Sequence, residues 1–256
     1  MTENIQRVNI LGIGISAINI PLALQVIDEW IGTRTAHYVC VTGVHGVMES
    51  QRDEELRLIH NRAGLVTPDG MPLVWMSHFY GYHSVNRVYG PDLMLAVCGR
   101  SVSKGYKHYF YGGGEGVPER LANKLTKRYP GLKVVGTFSP PYRELTPQED
   151  EEVISMINQS YPDILWVGLS TPKQERWMAN NVKRVNSMVM IGVGAAFDFH
   201  AGLKKQAPHW IQRRGLEWLF RLAVEPRRLW KRYAINNPQF VLLALGQILG
   251  FKRYTI

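Results

Sequence analysis

The residues of this chain best placed for chemistry are carboxylates and amides that follow short apolar runs. Residues 164–177 read Ile-Leu-Trp-Val-Gly-Leu-Ser-Thr-Pro-Lys-Gln-Glu-Arg-Trp, and residues 188–202 read Met-Val-Met-Ile-Gly-Val-Gly-Ala-Ala-Phe-Asp-Phe-His-Ala-Gly. Each opens as a strand buried on both faces would, then breaks at Gly168 or at Gly192 and Gly194. Gln174, Glu175 and Asp198 follow those breaks, where α/β sheets place ligand sites. Glu175 also fits ordinary first-turn capping. Asp198 lies between two phenylalanines, and a carboxylate in so apolar a segment needs backbone amides or a ligand hydroxyl as partners.

Asp69 sits in Thr67-Pro68-Asp69-Gly70, after one apolar run and before another. It reads either as a turn aspartate capping a helix or as a carboxylate positioned to take a proton from a substrate hydroxyl. Thr42 ends the preceding strand, where a polar residue is unremarkable. His45 reads as a first-turn or surface histidine. No second His or Cys stands at metal-ligand spacing, so neither a metal site nor a cofactor is expected. Gly112-Gly113-Gly114-Glu115-Gly116 lies between a strand and a helix. Its amides either cradle a phosphate or make a tight turn. The acid that a dinucleotide fingerprint wants about 20 residues on is missing from 134–138, and there is no P-loop lysine motif.

The elements that position these residues follow from periodicity and punctuation. Strands are expected over 5–15, 36–42, 64–67, 107–111 and 132–136, besides the two above. Helices are expected over 21–30, 44–61, 71–80, 91–104 and 118–129. Thr146-Pro147-Gln148-Glu149 is a capping box that starts a further helix to about residue 160. This alternation predicts an α/β fold with a doubly wound, mostly parallel, Rossmann-like sheet.

After Gly202 the character changes. The net charge is +9, and residues 204–256 hold 11 Lys and Arg against 2 Asp and Glu, so the excess positive charge lies in the last fifth of the chain. Such asymmetry signals an anionic surface partner. Trp210, Trp218, Phe220, Trp230, Tyr233, Phe240, Phe251 and Tyr254 interleave with arginines there. The chain thus divides into 1–203, an α/β domain, and 204–256, a basic, aromatic-rich helical appendage of two or three amphipathic helices. Residues 240–251 are apolar but too few to span a bilayer. Cys40 and Cys98 both lie in apolar segments and read as buried thiols. The polar start of the chain reads as carrying no signal peptide.

These features together resemble the WecG/TagA/CpsF glycosyltransferases, glycosyltransferase family 26. The residues that carry the resemblance are Thr42, Pro68-Asp69-Gly70, Arg87 to Leu93 and the Gly112–Gly116 loop, then Gly168, Pro172, Gln174 and Glu175, Gly192 to Asp198, Ala201-Gly202 and Ala207-Pro208 with Trp210. In the tail they are Gly215 to Trp218, Arg221, Glu225-Pro226, Arg228 and Leu229. The match runs over about 5–235. One departure stands out: the family often has Thr-x-Asn at the strand end, and this chain has Thr42-Gly43-Val44.

The resemblance implies an inverting, metal-independent transferase. It would move N-acetylmannosamine or a uronic acid relative from a UDP-sugar to a polyprenyl-diphosphate-linked sugar for bacterial surface polysaccharide, bound peripherally at the cytoplasmic face of the inner membrane. It implies Asp69 as general base and Thr42 as a sugar contact. Arg87, Gln174, Glu175 and Asp198 would bind substrate, with Gly112, Gly113 and Gly194 approaching the nucleotide. Arg221, Arg228 and Arg232 would come from the tail to neutralise the diphosphate. The tail would rest on an anionic membrane surface, and its exposed apolar residues would permit self-association. Two other classes stay open: a nucleotide-sugar binder without turnover, and a nucleic-acid surface on the basic tail. The latter leaves the polar loops unexplained, so no nucleic-acid partner is expected.

Overall fold

The structure, a computed structural model, describes residues 5–256; Met1 to Asn4, where the polar start was read, lie outside the described residues. The chain opens with β1 (Arg7–Ile10) and β2 (Ile13–Ser16), paired antiparallel. The expected single strand over 5–15 is therefore a hairpin, separate from the main sheet. Its turn residues Leu11 and Gly12 both have positive φ, 51° and 82°, the backbone a two-residue hairpin turn requires and glycine favours.

Next come α1 (Ile20–Thr33), β3 (His37–Thr42), α2 (Val44–Arg52) and α3 (Glu54–Arg62). The one helix expected over 44–61 is two. Asp53 adopts extended backbone and its side chain accepts from the Leu56 amide, which starts a new helix in place of continuing the old one. Then follow β4 (Leu65–Pro68), α4 (Met71–Phe79), α5 (Gly90–Lys104), β5 (Lys107–Gly112), α6 (Val117–Arg128), β6 (Lys133–Phe138) and α7 (Pro147–Gln159). The capping box forms as the sequence predicts, with Thr146 and Glu149 each bonding the other's backbone. β7 (Ile164–Gly168), α8 (Lys173–Asn181), β8 (Val189–Gly192) and α9 (Ala196–His200) complete the α/β part.

The six strands after the hairpin form one sheet in the order β4-β3-β8-β7-β5-β6, every neighbouring pair parallel. Alternate residues of each strand face opposite sides. Tyr38, Cys40, Leu165, Val167 and Met190 join the hairpin, α2 to α4, α7 and α8 in one core cluster. Val39, Ile164, Trp166, Val189 and Ile191 join α1, α5, α6 and α9 in the other. The sheet is thus doubly wound, as expected, and both cysteines are buried free thiols.

The tail folds as α10 (His209–Arg213), α11 (Glu217–Val224) and α12 (Pro226–Ile248). α12 runs through Pro238 and sets Phe240 and Ala244 into the first core cluster. Two side-chain clamps hold it. Arg52 of α2 donates to Asn236 Oδ1 at 2.8 Å and Gln239 Oε1 at 2.6 Å. Gln247 donates to the Asn9 carbonyl at 2.7 Å and accepts from the Leu11 amide at 2.8 Å. No helix among the described residues is long and apolar enough to cross a membrane.

Candidate active site

The carboxyl ends of β3, β4 and β8 open on a cavity of about 590 Å³, roofed by α11 and α12. That lies within the roughly 300–1,000 Å³ usual for small-ligand sites.

Asp69 stands one residue past β4. Its amide donates to the Thr42 carbonyl at 2.9 Å, and its Oδ1 accepts from the Gly90 amide at 3.0 Å. The carboxylate lines the cavity. Burial raises its pKa; the nearby Arg87 opposes that and Glu217 reinforces it. The result is a carboxylate held by the backbone, with a proton affinity above that of a solvated aspartate, as suits a base. Thr42 itself is buried, bonds the Cys40 carbonyl and does not line the cavity. It meets Asp69 through its backbone.

Arg87 lines the cavity but is fully engaged. It donates to the Asp69 carbonyl, to Gln212 Oε1 at 3.0 Å and to Glu217 Oε2, and lies 3.9 Å over the Tyr89 ring. Its pair with Glu217 is mostly buried, the two side chains 15% and 13% exposed. It ties α10 and α11 to the Asp69 loop.

The remaining expected residues divide by place. Gln174 and Gly194 line the cavity together, and Gln174 Oε1 is buried without a hydrogen-bond partner. Glu175 is 1% exposed and lies behind it; its Oε1 accepts from Gln174 Nε2 at 3.0 Å and from Thr171 Oγ1 at 2.9 Å. Asp198 does not line the cavity; its partner in so apolar a segment is Lys204 Nζ, at 2.8 Å. Gly112 and Gly113 also lie off the cavity. A Cβ on Gly112 would meet the Gly168 backbone at 2.7 Å, and the Gly113 amide donates to the Gly168 carbonyl at 3.0 Å. These glycines let β5 and β7 approach closely.

The tail arginines converge on the cavity. Arg221, Arg228 and Arg232 all line the cavity. Arg228 pairs with Glu225 at 2.6 Å. Arg221 and Arg232 have no hydrogen-bond or ion-pair acceptor among the described residues, and Arg221 Nε is buried and unpartnered. Below them the α12 wall changes character. Arg228, Arg232, Tyr233, Asn236 and Asn237 give way to Phe240, Val241, Ala244, Leu245 and Ile248, all facing the cavity. At 1.5 Å per residue this stripe spans about 30 Å.

Three contributors escaped the sequence reading. His45, taken as an ordinary helix histidine, lines the cavity. So does Val44, at the position of the family's frequent asparagine. The α12 stripe is legible only as positions three or four apart from 228 to 248, a period that Pro238 interrupts on paper. No group of three or more His, Cys, Asp or Glu residues that could hold a metal occurs among the described residues.

The family model described as Glycosyl transferase WecG/TagA/CpsF family matches residues 8–254. The chain belongs to this family. Three similar proteins share the name N-acetylglucosaminyldiphosphoundecaprenol N-acetyl-beta-D-mannosaminyltransferase. The Bacillus subtilis (strain 168) protein is 27% identical over 246 residues, 96% of this chain and 92% of the relative. The Staphylococcus aureus (strain NCTC 8325) protein is 27% identical over 233 residues, covering 90% and 88%. The Bacillus spizizenii protein is 27% identical over 197 residues, covering 77% and 74%. As a family member the chain is a hexose-transferring glycosyltransferase of polysaccharide synthesis.

Proposed function

We propose that this enzyme transfers N-acetylmannosamine, or a closely related sugar, from a UDP-sugar to a polyprenyl-diphosphate-linked sugar at the cytoplasmic face of a bacterial inner membrane. One observation carries the reading: a backbone-held carboxylate faces a cavity whose α12 wall passes from arginines to hydrocarbon. A substrate that is sugar, diphosphate and isoprenoid in sequence has the same order of chemistry. The names of the relatives supply the acceptor and the sugar class.

Asp69 takes the proton of the acceptor hydroxyl as that oxygen bonds the anomeric carbon. The bond from that carbon to the β-phosphate oxygen breaks, and UDP leaves with its electrons. A single displacement inverts the centre. Arg221, Arg228 and Arg232 neutralise the diphosphate. Gln174 and the Gly194 backbone contact the donor, and Glu175 holds the Gln174 amide. Thr42 fixes Asp69 through its carbonyl. The exposed Trp218, Leu219, Trp230, Leu242 and Phe251 of the tail rest at headgroup depth among anionic lipids.

The test is UDP release from a panel of UDP-sugars with a short-chain lipid-diphosphate N-acetylglucosamine, in the presence of a chelator. Acceptor-dependent release from UDP-N-acetylmannosamine is the expected result. Tight binding of one UDP-sugar without turnover would replace the enzyme reading with a binding one.

A further inference from the structure

His45 is a titratable cavity residue that the chemistry above does not use. Its surroundings fix which ring nitrogen carries the proton. Arg52 Nη2 donates to Asn236 Oδ1 at 2.8 Å, which sets the orientation of that amide. The Asn236 NH2 group therefore faces His45 Nδ1, 3.1 Å away. An amide nitrogen only donates, so Nδ1 accepts and the ring proton sits on Nε2. No described residue accepts from that nitrogen, and the ring lines the cavity beside the α12 arginines. Glu49 Oε1 lies 3.6 Å from Nδ1, outside bonding distance, and pairs with Arg52 at 3.2 Å. Burial, then Arg232, Arg52 and Arg221, push the His45 pKa down to about 4. The ring is neutral at pH 7, so the tautomer argument applies.

We infer that His45 donates a hydrogen bond from Nε2–H to a non-bridging oxygen of a substrate diphosphate, between the unpaired guanidinium groups of Arg221 and Arg232. The inference rests on the proposed function for the sources of that group, the nucleoside-diphosphate donor and the lipid-diphosphate acceptor. The chemistry is shared by both. A neutral donor adds a bond there without a further cation beside two arginines. The adjoining Val44 has no polar side-chain atom, so His45 is the side-chain donor that lines the cavity at this helix start. The arrangement joins α2, α12 and substrate in one chain of bonds, Arg52 to Asn236 to His45 to phosphate.

The competing role is a strut that merely joins α2 to α12 through Asn236. Two amide variants separate them. His45→Asn keeps a polar group near the Nδ1 position, and His45→Gln keeps a donor near the Nε2 position. Calorimetric titration with inorganic diphosphate and with UDP, and the KM for each substrate, are read on the full chain with melting temperature as the folding control. His45→Asn and His45→Phe are expected to weaken diphosphate binding by about 10- to 100-fold, the range for a hydrogen bond to a charged group, while His45→Gln stays within about threefold. A matching change in UDP affinity or in acceptor KM tells which substrate supplies the group. A wild-type-like His45→Asn with an impaired His45→Gln, diphosphate affinity unchanged in all three variants, or a wild-type protein that does not bind diphosphate would each overturn the inference. Diphosphate binding that depends on Nε2, with no turnover of any UDP-sugar, would overturn the proposed function and leave the inference standing.

Discussion

Asp69 combines a catalytic assignment with a cost to the fold. Its pKa is raised in the folded state, so its contribution to stability is present below the unfolded carboxylate range and is lost as pH rises through the folded value. Above that window the ionised side chain opposes folding. Asp69→Asn is therefore expected to lower kcat by roughly 10²- to 10⁴-fold while leaving the melting temperature at pH 7 equal or higher. A variant that lost activity and stability together would point to a structural role. The acid limb of the wild-type rate profile should fall above the usual aspartate range. Asp69 was legible because a carboxylate between two apolar runs is conspicuous. His45 was not, because its neutrality comes first from burial and then from arginines that include Arg232 on α12 and Arg221 on α11, more than 170 residues later in the chain, and short-range spacing carries no trace of them. Asp198 was conspicuous for the same reason as Asp69, but what the sequence did not show is that it lies off the cavity, paired with Lys204 six residues on.

Elements were legible where the signal was local. The capping box at Thr146 and the parallel strands formed as their residues imply. The two misses, the hairpin at Leu11-Gly12 and the break at Asp53, were local too. Each hinges on a single turn or cap that apolar periodicity overrides on paper. What no periodicity gives is how α10 and α11 meet the sheet. That is the work of Arg87, which bonds Asp69, Gln212 and Glu217 at once. Arg87→Ala leaves Glu217 with its charge buried and unpaired, a loss on the order of 3–5 kcal/mol. Urea unfolding measures that loss, and hydrogen exchange should show α11 opening first. Unchanged protection of α11 would remove Arg87 as the link. Its expected place in substrate binding thus becomes a proposal of indirect action, through the loop and helices that it holds.

At the scale of the molecule, charge and apolarity segregate in the tail. Arg227 and Lys231 are exposed on α12, as is Trp230 between them. Each cation near an anionic bilayer is worth about 1 kcal/mol. Replacing both with Gln should weaken binding to phosphatidylglycerol vesicles by roughly 2 kcal/mol, measured by co-sedimentation. Binding to neutral vesicles should stay low throughout, and added salt should weaken the wild type. Salt-insensitive binding equal in both proteins would remove the anionic surface as partner. The composition of the tail announced its surface chemistry. Its inner face was hidden, because the residues that roof the cavity count as core only once the sheet lies beneath them.

The Gln247 clamp joins residues 236 and 238 positions apart, among the longest separations in the fold. At synthesis rates of about 5–20 residues per second, the hairpin made first waits on the order of ten to fifty seconds for the side chain that closes over it. During that interval the nascent chain has a sheet taking shape and an unroofed, unclosed cavity. The polymerising ribosome therefore sets the order of events: the cavity is complete only once α12 arrives, and the apolar bed beneath Phe240 stays uncovered until then.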